Sequence, residues 1–241
     1  MKIAVCGCSF SATVAGEYAG THWSEIVAER TGAELINLAR QGISNSVIRL
    51  QIAEAIRQQP DWVFVNATTT DRLEIATDNR HLEHPSLGYD PAAGLSNFNY
   101  HSDQPSRMIS ETVFSMIDWD LHPYRGKKVN DDVREAVANY SAFIYDLHWR
   151  LQVDNWIINS GLWDLHTQGI KFVYNQTILN EFAEMHMLPV WFADRYFVNP
   201  ELDLLALMRK HVLDFDPGYH TTPETQLWIA DRYLQMIEDR A

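Results

Sequence analysis

The apolar and polar positions fall into alternating short blocks from the first residue onward. Lys2–Cys8 (KIAVCGC) is a near-continuous apolar run ended by Gly7 and the Ser-rich stretch 9–12. Runs of this kind suit strands buried on both faces of a parallel sheet. Thr21–Arg30 follows with Trp23, Ile26 and Val27 at helical spacing and Gly32 as a stop. Glu34–Ala39 predicts a second strand. Ser44 or Asn45 can cap a helix that runs to about Gln59, and Trp62–Ala67 (WVFVNA) predicts a third strand. Further on, Gly169–Thr177 and Leu188–Ala193 predict a fourth and a fifth strand. Leu202–His211 predicts a helix. Thr222, Pro223 and Glu224 open a last helix that runs to about Glu238.

Strands and helices that alternate with short connections predict a single α/β domain, a three-layer αβα sandwich around a parallel five-stranded sheet. Ligands in such sheets bind beyond the carboxyl ends of the strands. The loops after Cys8, Ala39 and Ala67 therefore converge on one rim. Residues 77–130 break the rhythm with four prolines and scattered His and aromatic side chains. A connection that long predicts an insertion over the rim, a lid or a surface excursion. Val133, Val137, Tyr140, Ile144, Leu147 and Leu151 form one apolar stripe, which predicts a continuous helix over 131–159. It faces the core, or extends to support the insertion or a second subunit.

Composition narrows the function classes. Lys and Arg total 19 against 32 Asp and Glu, a formal net charge of −13, which disfavours nucleic acid and anionic membrane surfaces. No apolar run reaches the ~18 residues of a membrane span, and no leader-like segment precedes the first strand. The chain reads as soluble and cytoplasmic. Cys6 and Cys8 lie two apart in one strand, where a disulfide would be strained, so free thiols are expected. Cys8 is a weak rival nucleophile, because its strand position points it into the core. His81, Glu83, His84, His101 and Asp103 carry metal-ligating groups, but their spacing matches no compact site. No metal and no cofactor is expected.

Ser9 ends up on the rim, in the turn after the first strand. His220 precedes the cap of the last helix, with Asp216 four residues earlier and Asp214 as a rival carboxylate. A hydroxyl, an imidazole and a carboxylate are the parts of a nucleophilic triad. Gly42 offers a close backbone N–H, Asn45 a side-chain amide, and Thr68–Thr70 hydroxyls and N–H groups for an oxyanion. Each of these also suits ordinary loop and capping chemistry.

These blocks, in this order, resemble the SGNH (GDSL-like) hydrolases. Gly7-Cys8-Ser9-Phe10 resembles the first block, Gly42 the glycine after the second strand, and Asp216 with His220 the last block. The resemblance implies a flavodoxin-like sheet and metal-free ester or acyl hydrolysis. Ser9 would be nucleophile and first oxyanion donor, Gly42 the second donor and His220 the base. Cys8 stands where the family has Asp. The third block, normally Gly-x-Asn-Asp, reads Asn66-Ala67-Thr68-Thr69-Thr70 here. This leaves the third donor open among Thr68, Asn66 and Asn45. The Asp–His interval is one residue longer than the family's. Two functions follow as expectations. One is a serine esterase acting on a small-molecule or carbohydrate ester such as an O-acetyl group. The other is a non-catalytic module of that fold within a larger assembly, viral or otherwise. A homo-oligomer is compatible with either.

Overall fold

The structure, a computed structural model, describes residues 1–13, 20–40, 43–68, 70, 72–74, 113–115, 135, 139–140, 142–176 and 222–239. Four parallel strands form the described part of the main sheet: β1 (Lys2–Gly7), β2 (Glu34–Asn37), β3 (Trp62–Ala67) and β6 (Lys171–Gln176). Their order is β2-β1-β3-β6, with Ile3 beside Leu35 on one side and beside Trp62 on the other, and Trp62 beside Lys171. This is the parallel α/β sheet that the apolar runs predict. The expected fifth strand at 188–193 and the helix at 202–211 lie outside the described residues.

Helices cover both faces. Alternation along β1 sends Ala4, Cys6 and Cys8 to one side and Ile3 and Val5 to the other. On the first side, α2 (Asn45–Gln58) and α3 (Leu147–Thr167) bury Val47, Ile48 and Ile52 with Ile158, Leu162 and Leu165 against Val63, Val65 and Phe172. Gly161 lets these helices approach closely. A Cβ there would lie 2.8 Å from Ile52 Cδ1 and 2.9 Å from Arg49 Cδ. Arg49 crosses the seam to bond Ser160 (2.9 Å) and to pair with Asp164. On the second side, α1 (Trp23–Thr31) and α4 (Pro223–Glu238) bury Trp23, Val27, Ile229 and Tyr233 against Phe64 and Val173. The result is the expected three-layer sandwich. Cys6 and Cys8 are free thiols, both buried, and burial pushes the Cys6 thiol well above its ordinary range.

The helix expected over 131–159 is corrected. The N–H groups of Ile144 and Tyr145 both donate to Tyr140 O (2.9 and 2.8 Å), which winds the chain off its helical path. Asp146 then takes an extended conformation (φ −120°, ψ 117°) and caps a new helix by accepting from Trp149 N at 2.7 Å. That helix, α3, continues to Thr167, beyond the predicted end. Ile144, a member of the predicted stripe, is exposed, whereas Leu151 is buried.

A second, two-stranded sheet follows the main rhythm. β4 (Arg72–Glu74) pairs antiparallel with β5 (Val113–Ser115), Leu73 opposite Phe114. β5 falls inside the expected insertion, so part of that segment returns to the chain leaving β3. The rest of 77–130 lies outside the described residues. Among those described, no helix is long and apolar enough to cross a membrane.

Candidate active site

Ser9 occupies the turn that leaves β1 at the carboxyl end of the sheet. Cys8 O accepts from Ser11 N (3.0 Å) and Ala12 N (3.1 Å), which closes the turn around Ser9 and Phe10. Ser9 is partly exposed, while Cys8, Ser11 and Ala12 are buried. The turn folds back so tightly that a Cβ on Gly7 would lie 2.6 Å from Ser11 Oγ and 3.2 Å from Asn66 O. A glycine is therefore required one residue before Cys8 for reasons of space.

Side chains from four elements or their caps fix this turn. Gln51 of α2 accepts from Gly7 N at 2.7 Å. Trp23 Nε1 of α1 donates to Phe10 O at 3.1 Å. Asn37, the last residue of β2, donates to Ser11 O at 2.8 Å. Asn66 of β3 donates to Ser11 Oγ at 2.8 Å. Asn66 Oδ1 in turn accepts from Tyr233 Oη of α4 at 2.7 Å. Burial pushes the Tyr233 phenol up, while its neighbours Asn175 and Asn66 oppose the shift, so it stays a neutral donor.

His22, the cap of α1, is buried beside the same turn. Nε2 lies 3.3 Å from Phe10 O, and Nδ1 lies 2.7 Å from Ser24 Oγ and 3.3 Å from Ser24 N. A neutral ring satisfies all three contacts if Nε2 carries the proton and Nδ1 accepts. Desolvation lowers its pKa to about 4, against the opposing pull of the Phe10 carbonyl. His22 braces the turn as a neutral imidazole.

Ser44 supplies the cap of α2, its Oγ accepting from Val47 N. The neighbouring Asn45 side chain is thereby freed to reach the end of β3. Its Oδ1 accepts from Thr68 N (2.9 Å) and its Nδ2 donates to Thr68 O (3.0 Å) and to Asp154 Oδ2 (2.9 Å). Both amide hydrogens are thus engaged, and Asn45 acts as a clamp that fixes the backbone of Thr68. Thr68 Oγ1 is buried and has no hydrogen-bond partner among the described residues. Unsatisfied buried hydroxyls are uncommon and call for a reason.

Ser9, Asn45, Asn66 and Thr68 are thus all at the carboxyl ends of β1 and β3 or on the helix N-terminus beside them. Gly42, His220, Asp216 and Asp214 lie outside the described residues. What is described is the helix that follows His220. Thr222 caps α4 by accepting from Thr225 N, and Gln226 accepts from Trp23 N at 2.7 Å. Trp23 bonds both Gln226 and Phe10 O, so one residue joins the start of α4 to the turn of Ser9. Sequence reading missed Trp23, His22, Asn37, Gln51 and Tyr233 as parts of this frame. Only the polar residues inside otherwise apolar elements, Gln51 and Asn37, carried a visible signal. Among the described residues no group of three or more His, Cys, Asp or Glu side chains could hold a metal ion.

No family model matches the sequence, and no curated protein matches it. Solved structures do. The chain is similar to a protein assigned to the G-D-S-L lipolytic family from Desulfitobacterium hafniense DCB-2, with 7% identity, a TM-score of 0.48 and 98% of each chain covered. It is also similar to an acetyl xylan esterase, with 12% identity, a TM-score of 0.50, 98% of this chain and 100% of that chain covered. At this identity the likeness is one of architecture alone, and the chain shares an α/β fold with the acetyl xylan esterase.

Proposed function

We propose that the chain is a serine ester hydrolase in which Ser9 is the nucleophile. The observation that carries this reading is the turn itself. A partly exposed serine sits at the carboxyl end of β1, and side chains from α1, α2, β2 and β3 hold Gly7 N, Phe10 O, Ser11 O and the Ser11 hydroxyl on either side of it. Such over-determination is what a nucleophile requires, because misplacement by about 1 Å costs on the order of 10²-fold in rate.

In the proposed reaction, Ser9 Oγ attacks the ester carbonyl carbon as His220 takes its proton. Asp216 orients the imidazole and stabilises its charged form, with Asp214 as the alternative. The N–H groups of Ser9 and Gly42 receive the developing oxyanion, and Thr68, held by Asn45, offers a third donor. Collapse of the tetrahedral intermediate breaks the bond to the alcohol, which leaves with the proton from His220. Water then attacks the acyl-serine and gives a proton to His220; collapse of this second intermediate breaks the bond to Ser9 Oγ, which takes that proton back from His220 as the acid leaves. No metal takes part. The substrate class favoured is a small ester such as an O-acetyl group on a carbohydrate, in line with what the acetyl xylan esterase of the same fold is named for.

Hydrolysis of p-nitrophenyl acetate by wild type and Ser9→Ala tests the reading. Loss of roughly 10³-fold or more in kcat is expected on removing the nucleophile. Equal activity in the two proteins would refute it. The residue added between Asp216 and His220 favours one competing account, a binding module that keeps the fold without turnover. That account predicts no hydrolysis by wild type.

A further inference from the structure

The described residues expose seven large apolar side chains, and five of them, Phe143, Ile144, Trp149, Trp156 and Trp163, lie on α3 or just before it. Each of these five is more than half exposed, whereas Met1 and Leu227 are less so. The tryptophans recur every seven residues. At 3.6 residues per turn they fall within about 20° of one line along the helix, roughly 10 Å apart. The opposite face of α3, with Ile158, Leu162 and Leu165, is buried on α2 and the sheet.

We infer that this tryptophan ladder is the seam of a homodimer in which α3 of one copy packs along α3 of a second. Spacing is the first reason. A seven-residue repeat is the interval at which one helix keeps contact with another along its length. Charge is the second. The chain carries −13, yet Gln152, Val153, Asn159 and Ser160, which lie between and beside the rings, are all uncharged. Two acidic molecules can meet there with least repulsion.

Hydrogen-bonding complementarity between imidazole and carboxylate also orients the pair. On a helical projection, His148 and His166 flank the ladder at about 80° on one side, and Asp146 and Asp164 at about 80° on the other. A two-fold axis parallel to α3 sets the helices in the same direction and brings unlike flanks together. Asp146 then faces His148 of the second copy, and Asp164, also paired with Arg49, faces His166 of the second copy. An antiparallel pair would set aspartate against aspartate. Area is the third reason. A tryptophan presents roughly 150–250 Å², so the three rings would bury on the order of 450 Å² per copy before their polar neighbours are counted. That is more than half of the roughly 800 Å² per partner of a standard interface. The Trp149 and Trp156 rings already meet edge to face at 5.5 Å, so little side-chain freedom remains to be lost.

Sedimentation of the full chain at rising concentration tests the inference. Wild type should sediment as a dimer. Trp156→Glu should weaken dimerisation at least about 30-fold, as loss of a central tryptophan anchor does, with its circular dichroism unchanged. Leu227→Glu, on a different helix, should remain dimeric. Under mild oxidation, Trp149→Cys should cross-link to itself, and it should do so whether or not Trp156→Glu folds. A wild type that is monomeric at every concentration, or a Trp156→Glu protein as dimeric as wild type, would overturn the seam. Cross-linking of Trp149→Cys only with Trp163→Cys would overturn the parallel arrangement.

Discussion

At the scale of single residues, the sharpest consequence concerns His22. Its ordinary pKa is 6.5, and in the fold it is lowered to about 4, first by burial. Between those values the unfolded chain binds a proton that the folded chain does not, so stability falls as pH falls. The loss should be about 2 kcal/mol at pH 5 and approach about 3 kcal/mol at and below pH 4. Urea titrations at pH 7 and pH 5 measure it, and His22→Gln should remove most of the difference. Equal pH dependence in the two proteins would show that His22 does not titrate in this way. His22 also illustrates what the sequence hides. Its neighbours Ser24 and Phe10 are ordinary residues, and nothing in a linear string reveals that a ring will lie under a turn twelve residues earlier. Ser9 was legible, because a serine after a buried strand and a glycine is a local pattern.

At the scale of elements, the strands were legible because the sheet is buried on both faces. KIAVCG and WVFVNA read as strands without help from their surroundings. The break before α3 is hidden from the sequence for an equally physical reason. No Gly or Pro marks residues 144–146, and Ile144 continues the apolar stripe across the break. Asp146 as a cap and Tyr145, which bonds Thr70 O at 3.3 Å on the rim, redirect the chain there. Polar contacts between elements were invisible to periodicity altogether. The clearest is the relay from Tyr233 of α4 through Asn66 of β3 to Ser11 of the turn, with bonds of 2.7 and 2.8 Å. Tyr233→Phe leaves Asn66 Oδ1 without its buried donor and should cost about 1–3 kcal/mol in chemical denaturation. If the relay positions the turn, kcat for ester hydrolysis should fall as well while the substrate KM changes little. An unchanged kcat would confine Tyr233 to stability.

At the scale of the whole molecule, the order β2-β1-β3-β6 brings the carboxyl ends of β1 and β3 side by side, with the start of α2 beside them. This sets the turn of Ser9 and the Asn45–Thr68 clamp at the carboxyl ends of adjacent strands, although these residues are far apart in the chain. The layers follow from binary patterning, whereas the rim is built by loops whose shape the patterning does not encode. The two faces of the molecule then divide the work. The rim carries the proposed chemistry, and the outer face of α3 carries the proposed seam between copies. Covalent labelling tests most directly whether Ser9 is an activated nucleophile. A fluorophosphonate probe should modify the folded protein once, with the adduct mapped by mass spectrometry to Ser9 and absent after Ser9→Ala or His220→Ala. A folded wild type that takes up no probe, or an adduct at another residue, would contradict it.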